Sequence, residues 1–171
     1  MRAVRLLPLV LLVVVAACSE PDPVELTVGA HAISVLFPEE WEHLDYGDKH
    51  QFRKDFERIA LEDLGRQGGT LGEAAVRVMT GLGENERRSE ATRRLFSISG
   101  REALEIDTWD NTSHEFRKRY VFVRDKRNLL AIHMMQGKFA DMKAPFGDLV
   151  ASLAYTDSLE IESDPVTGGR D

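Results

Sequence analysis

Apolar residues recur in short blocks along this chain, and their period changes from block to block. Val24 to Val28, which alternates apolar and polar positions, and Ala32 to Phe37 read as two strands joined by a Gly29-Ala30 turn. A two-residue period is that of half-buried strands. Phe37-Pro38-Glu39-Glu40-Trp41 stops the second strand, because proline removes a ladder donor. Gln51 to Leu64 fits two patterns. Phe52, Phe56, Ile59 and Leu64 are loosely helical in spacing, whereas Arg58 to Leu64 reads equally as a strand. The reading adopted is a strand from Ile59.

Gly68-Gly69-Thr70 announces a helix. Thr70 is a good N-cap, and Glu73 three positions later completes a capping box. Ala74, Ala75, Val78, Met79 and Leu82 supply its apolar stripe, and Gly81 and Gly83 end it. Four strand-like runs follow: Thr92 to Ile98, Arg101 to Trp109, Glu115 to Arg124 and Leu129 to Met135. Ser99-Gly100 is a two-residue hairpin turn and Asp125 to Asn128 a longer one, so the runs form an antiparallel meander. Phe139, Met142, Phe146, Leu149, Val150 and Leu153 lie on one face of a last helix. Pro145 either kinks it or marks a start near Ala144, with proline in the first turn. Leu129-Leu130-Ala131-Ile132 is apolar on both faces, as in a strand covered on both sides. Two helices and an antiparallel sheet with a doubly buried centre predict an α+β fold, an α/β/α sandwich whose central sheet is flanked by helices.

The ends of the chain differ from this middle. Leu6 to Val15 is apolar except for Pro8, follows Arg2 and Arg5, and leads into Val15-Ala16-Ala17-Cys18. A membrane-spanning helix needs about 20 apolar residues. This run is roughly half that, which fits a signal segment. Cys18 is the only cysteine, so it has no disulfide partner within the chain. The pattern resembles the lipobox of bacterial lipoproteins, which implies cleavage before Cys18 and diacylglyceryl attachment to it. Ser19 stands where an aspartate would be the usual inner-membrane retention signal. By that resemblance the periplasmic face of the outer membrane is expected in a Gram-negative host. The organisation is then a signal peptide over 1–17, a lipidated tether over 18–23, one domain over 24–156 and a disordered tail over 157–171.

The chain carries a net charge of −7 at pH 7, and loss of Arg2 and Arg5 makes it more acidic still. That argues against nucleic acid as a partner.

The early strand closing on Phe37-Pro38-x-x-Trp41, the following helix, the meander with Ser99-Gly100-Arg101-Glu102-Ala103 at its first hairpin and the amphipathic C-terminal helix resemble the PsbP-like superfamily. Small bacterial DcrB-like lipoproteins belong to that group and match the lipobox best. The resemblance covers Val24 to Tyr155. It implies binding or assembly-assisting modules, with no catalytic residues to carry over.

Candidate chemistry is sparse. His43, Asp45, Asp48 and His50 are the metal candidates, since two imidazoles and two carboxylates could ligate zinc; Lys49 among them favours a solvated polar loop. His133 reads as a packed histidine bonded to backbone. Asp107, Asp110, His114 and Glu115 surround Trp109 and could serve acid–base work, though a charged turn explains them as well. Trp41 and Trp109 are the candidate partner anchors. Arg87, Arg88, Arg93, Arg94, Arg117, Lys118, Arg119, Arg124, Lys126 and Arg127 could form a basic strip, or pair across strands with Glu102, Glu105, Asp107 and Glu115. The expectation is a non-enzymatic envelope lipoprotein without a cofactor. Its partners are the bilayer, through acylated Cys18, and an envelope protein of unknown identity. The alternative is a small-ligand or metal-binding lipoprotein.

Overall fold

The computed structural model describes residues 22–36, 40–81, 88–110, 112–113 and 115–156, with backbone alone over 88–91. Cys18, Phe37, Pro38, Leu82, Arg87, His114 and the 157–171 tail lie outside these.

Two sheets carry the fold. β1 (Val24–Val28) and β2 (His31–Val35) form the first hairpin. They pair with β10 (Ala154–Tyr155), a strand the sequence did not signal, in a small three-stranded sheet. β3 (Glu42–Asp45), β4 (Lys49–Lys54), β5 (Glu57–Arg66), β6 (Arg88–Ile98), β7 (Arg101–Asp110), β8 (Phe116–Asp125) and β9 (Asn128–Gln136) form the main sheet. Its order is β3-β4-β5-β9-β8-β7-β6, and every pairing in it is antiparallel. Among the described residues no helix is long and apolar enough to cross a membrane.

The meander from β6 to β9 follows the sequence reading. Ser99 and Gly100 both have positive φ, 49° and 79°, the backbone a two-residue hairpin with right-twisted strands requires. Asp125 pairs with Asn128, so the second turn also has two residues and is shorter than expected. Gln51 to Leu64 holds no helix. β4 buries His50 and Phe52 and β5 buries Ile59, Ala60 and Leu61. Phe56, which completed the helical spacing, sits in the turn between them and is 79% exposed. The expected polar loop over 43–50 is a hairpin of β3 and β4, in which His43 faces Phe52 and Asp45 faces His50.

α1 (Leu71–Gly81) starts as its capping box dictates. The Thr70 amide donates to Glu73 at 2.8 Å and the Glu73 amide to Thr70 Oγ1 at 3.3 Å. α2 (Phe139–Ser152) begins at Phe139, not near Ala144, and contains Pro145. Proline there leaves the Asp141 carbonyl without its helical donor. Asp141 is exposed to solvent.

Strand alternation divides the apolar residues in two. Leu71, Ala74 and Ala75 of α1 cluster with Leu104, Ile106, Tyr120, Phe122, Leu129 and Ala131. Met142, Phe146, Leu149 and Val150 of α2 cluster with Ala103, Val121, Val123, Leu130 and Ile132, and with Val28, Ile33 and Val35 of the small sheet. β9 thus buries Leu129 and Ala131 on one face and Leu130 and Ile132 on the other, as its apolar run predicted.

Candidate functional site

Among the described residues, the largest concentration of buried polar groups was not singled out in the sequence. It lies where the β1–β2 turn meets the main sheet. His31 is fully buried. Its Nε2 lies 3.4 Å from Asp63 Oδ1 and its Nδ1 3.7 Å from Asp125 Oδ2. The Tyr155 hydroxyl is 3.3 Å from Nδ1. Arg101 Nε donates to Asp125 Oδ1 at 2.8 Å, with both side chains buried. Its guanidinium stacks over the Tyr155 ring at 3.8 Å. Asp63 also accepts the amides of Ala30 and Gly65, each at 2.8 Å. The network locks β2 and β10 onto β5, β7 and β8.

Period two could have exposed these residues. His31 shares its face with Ile33 and Val35, Arg101 with Ala103, and Asp125 with Val121 and Val123. Each is a polar residue at an inward position of an otherwise apolar stripe.

The four metal candidates are not brought together as a ligand set. His43 Nε2 and His50 Nδ1 share a hydrogen bond of 2.8 Å, and His50 Nε2 donates to the Thr27 carbonyl at 3.0 Å. With Nε2 of His50 as donor, its Nδ1 accepts from His43. Asp45 Oδ1 lies 3.4 Å from His50 and accepts the Gly47 amide, while Asp48 is exposed. Among the described residues no group of three or more His, Cys, Asp or Glu is placed to hold a metal.

His133 departs from its expected backbone bond. Its Nε2 faces Glu62 Oε2 at 3.7 Å, and its ring lies parallel to Tyr120 at 5.8 Å. His133 and Lys49 hold the Glu62 carboxyl down to about 2.

The carboxylates around Trp109 are occupied. Asp107, buried, accepts both arms of the Arg119 fork at 2.7 and 2.8 Å, and this bond raises the Arg119 pKa. Asp110 accepts the amides of Thr112 and Ser113 and an Arg117 donor at 3.0 Å. Those two amides, with Arg117, hold its carboxyl below the usual range. Arg94 pairs with Glu105 at 3.1 Å, so cross-strand pairing takes up much of the expected basic strip. Trp41 packs, half-buried, against the larger core cluster. Trp109 is half-buried edge-on to Phe116 at 5.0 Å, and Phe116 stacks on Phe139 at 5.4 Å. These three, with Lys138 and Arg117, line an open cleft of about 610 Å³.

Burial pushes the His31 pKa below its ordinary 6.5, outweighing Asp63 and Asp125. Burial, followed by the charge of His50, does the same to His43. The unfolded chain therefore takes up these protons first, and stability falls as pH drops below about 6.5. Glu62, at about 2 against an ordinary 4.5, adds stability that is complete above 4.5 and lost as pH falls through 2. Urea midpoints from pH 8 to pH 3 are expected to stay level down to neutrality and then decline in these two stages. A midpoint that rises between pH 7 and pH 5 would contradict the assignment of His31 as a neutral buried imidazole.

No protein-family model matches the chain, and no curated protein matches it. Among solved structures it is similar to cyanobacterial PsbP (CyanoP) from Synechocystis sp. PCC 6803, with 11% identity, 81% of this chain and 95% of that one covered, and a TM-score of 0.56. It is also similar to the Ran-binding protein Mog1p of Saccharomyces cerevisiae, at 10% identity over 81% of this chain and 97% of that one, with a TM-score of 0.51. LpqN of Mycobacterium tuberculosis, a protein involved in cell envelope biogenesis, matches at 8% identity over 80% and 91%, with a TM-score of 0.47. The fold is PsbP-like, of the α+β class. A shared fold at these identities does not carry function with it.

Proposed function

We propose that this chain is a bacterial cell-envelope lipoprotein, anchored through Cys18, whose domain acts as a non-catalytic protein-binding or assembly module. Its layers are read as an α/β/α sandwich, with the small sheet packed at one end. The observation that carries the binding role is β6. It is an eleven-residue strand at the edge of the main sheet, and Leu95 on it is 65% exposed. A long strand edge with unpaired backbone groups is a template for another extended chain. The occupant is an extended segment of an envelope protein, whose acidic side chains meet Arg94, which stays 64% exposed while paired with Glu105, and Arg93 beside it. The metal-binding alternative is weakened because His43 and His50 use the facing nitrogens on each other.

The test is in-cell photocrosslinking from a probe at Leu95, with Val76 on α1 as control. One reproducible envelope partner at Leu95, lost when Arg93 and Arg94 are both replaced by Glu in a variant that still folds, is the expected result. The same proteins captured from both positions would contradict a β6 docking edge.

A further inference from the structure

We infer that a cluster of unpaired cations at the β8–β9 turn binds the phosphates of an anionic phospholipid surface, and so turns that end of the domain towards its bilayer. β5 ends on Arg66, which pairs in register with Asn128. The Gln67 amide donates to the Arg127 carbonyl at 3.1 Å. Arg66, Lys126 and Arg127 therefore stand together over the centre of the main sheet's end, and all three are exposed. Arg124 lies behind them on β8 and donates through Nη1 to the Gln67 carbonyl at 3.0 Å. Other cations of the sheet are paired: Lys49 with Glu62, Arg101 with Asp125, Arg117 with Asp110 and Arg119 with Asp107. Among the described residues no carboxylate pairs with the four at this end. Asp63 and Asp125, the acids beside them in the chain, are held by His31, Arg101 and backbone amides. Asp48 and Glu102, both exposed, flank the cluster on the β3–β4 turn and on β7.

The tether enters at the same end. Ala30 bonds Asp63, three residues before Arg66. At the start of β1, Val24 pairs with Val35. The following Leu36 amide donates to Ser152 at the close of α2, and the Tyr155 amide to Ser99 in the β6–β7 turn. The small sheet thus lies across this end of the main one. Six residues separate Cys18 from Val24, so an extended tether holds the domain within about 20 Å of the lipid. Lys and Arg near an anionic leaflet are attracted to it over about a Debye length. The chain as a whole carries a net charge of −7, so the same leaflet repels its other faces, and the two effects orient the domain. The competing occupant is the acidic 157–171 segment, which follows Thr156, itself bonded to Ala32. This inference rests on the lipoprotein reading above and adds an orientation to it: the basic end faces the bilayer and leaves the β6 edge open to a protein.

The experiment uses the mature lipidated protein in vesicles of phosphatidylethanolamine and phosphatidylglycerol that carry an energy acceptor on a headgroup. Cys18 is the only cysteine and is acylated there, so one added cysteine takes the donor dye alone. The dye is placed by Gly68→Cys, where a Cβ meets nothing within 4 Å, or by Phe56→Cys at a position 79% exposed. The ten residues of β5 separate the two sites, about 33 Å in an extended strand. Transfer is expected to be several-fold greater from position 68 than from position 56. Arg66→Gln with Lys126→Asn and Arg127→Gln changes only exposed positions, and Asn suits the φ of 55° at Lys126. That variant is expected to lose the difference while remaining vesicle-bound, as is the wild type in vesicles of phosphatidylcholine alone. Equal transfer from both sites, or a difference that survives the triple replacement, would overturn the inference and leave the anchor reading intact. A difference that emerges only when the chain ends at Thr156 would assign the cluster to the 157–171 segment and overturn it equally. Protein that fails to float with the vesicles would overturn both readings.

Discussion

Asp125→Ala is expected to destabilise the domain by about 3–5 kcal/mol, the cost of leaving a buried charge without its partner. The charge is Arg101, whose side chain is 2% exposed and bonded to Asp125 at 2.8 Å. Its guanidinium also covers the Tyr155 ring, so a displaced Arg101 disturbs β10 and, through it, β2. His31 loses one of its two flanking carboxylates at the same time. Replacing both members, Arg101→Met with Asp125→Leu, is expected to cost much less, because an apolar pair leaves no unpaired charge in the interior. Urea midpoints for the two variants separate the cases. A loss under about 1 kcal/mol for Asp125→Ala would be the behaviour of a solvated surface pair, and would contradict the burial of this one.

Phe146→Ala is expected to cost about 3–5 kcal/mol, in the range of large-to-small substitutions at full burial. Phe146 is fully buried in the cluster that joins α2 to Val121, Val123, Leu130 and Ile132. α2 has little intrinsic support. Lys138 at its N-cap makes no side-chain cap bond, and Pro145 interrupts its ladder. Short helices draw most of their stability from tertiary packing, so losing the central anchor is expected to loosen the whole element. Amide exchange reads this locally: protection falls throughout α2 in the variant, while α1, held by its capping box on the other cluster, keeps its own. Equal loss in both helices would instead indicate global destabilisation without any special dependence of α2 on Phe146.

The sequence was most legible where one local rule dominated. The α1 start was readable because Thr70 and Glu73 satisfy each other within one turn. The meander was readable because Ser99-Gly100 and the two-residue period agree. Doubly apolar Leu129 to Ile132 placed β9 at the centre of the sheet. Legibility failed where tertiary contacts decide. Gln51 to Leu64 carries a helical spacing by accident, since Phe56 is exposed at a turn. β10 is two residues long and exists because β2 offers it an edge. The His31–Asp63–Arg101–Asp125–Tyr155 network joins residues up to 124 positions apart, and no local spacing reports that. Singling out titratable residues by proximity in sequence favoured the 43–50 stretch and the Asp107–Asp110 stretch. The fold ties both into pairs, and among the described residues it builds its largest buried network from positions the chain scatters.

The proposed anchoring of a non-catalytic module at a cell-envelope membrane through Cys18 is tested by metabolic labelling with an alkyne-bearing fatty acid, followed by fractionation of the wild-type chain and Cys18→Ala. The wild type is expected to carry the label and sediment with membranes, and Cys18→Ala to lose both. An unlabelled wild type, or a Cys18→Ala variant that remains stably membrane-bound, would contradict it.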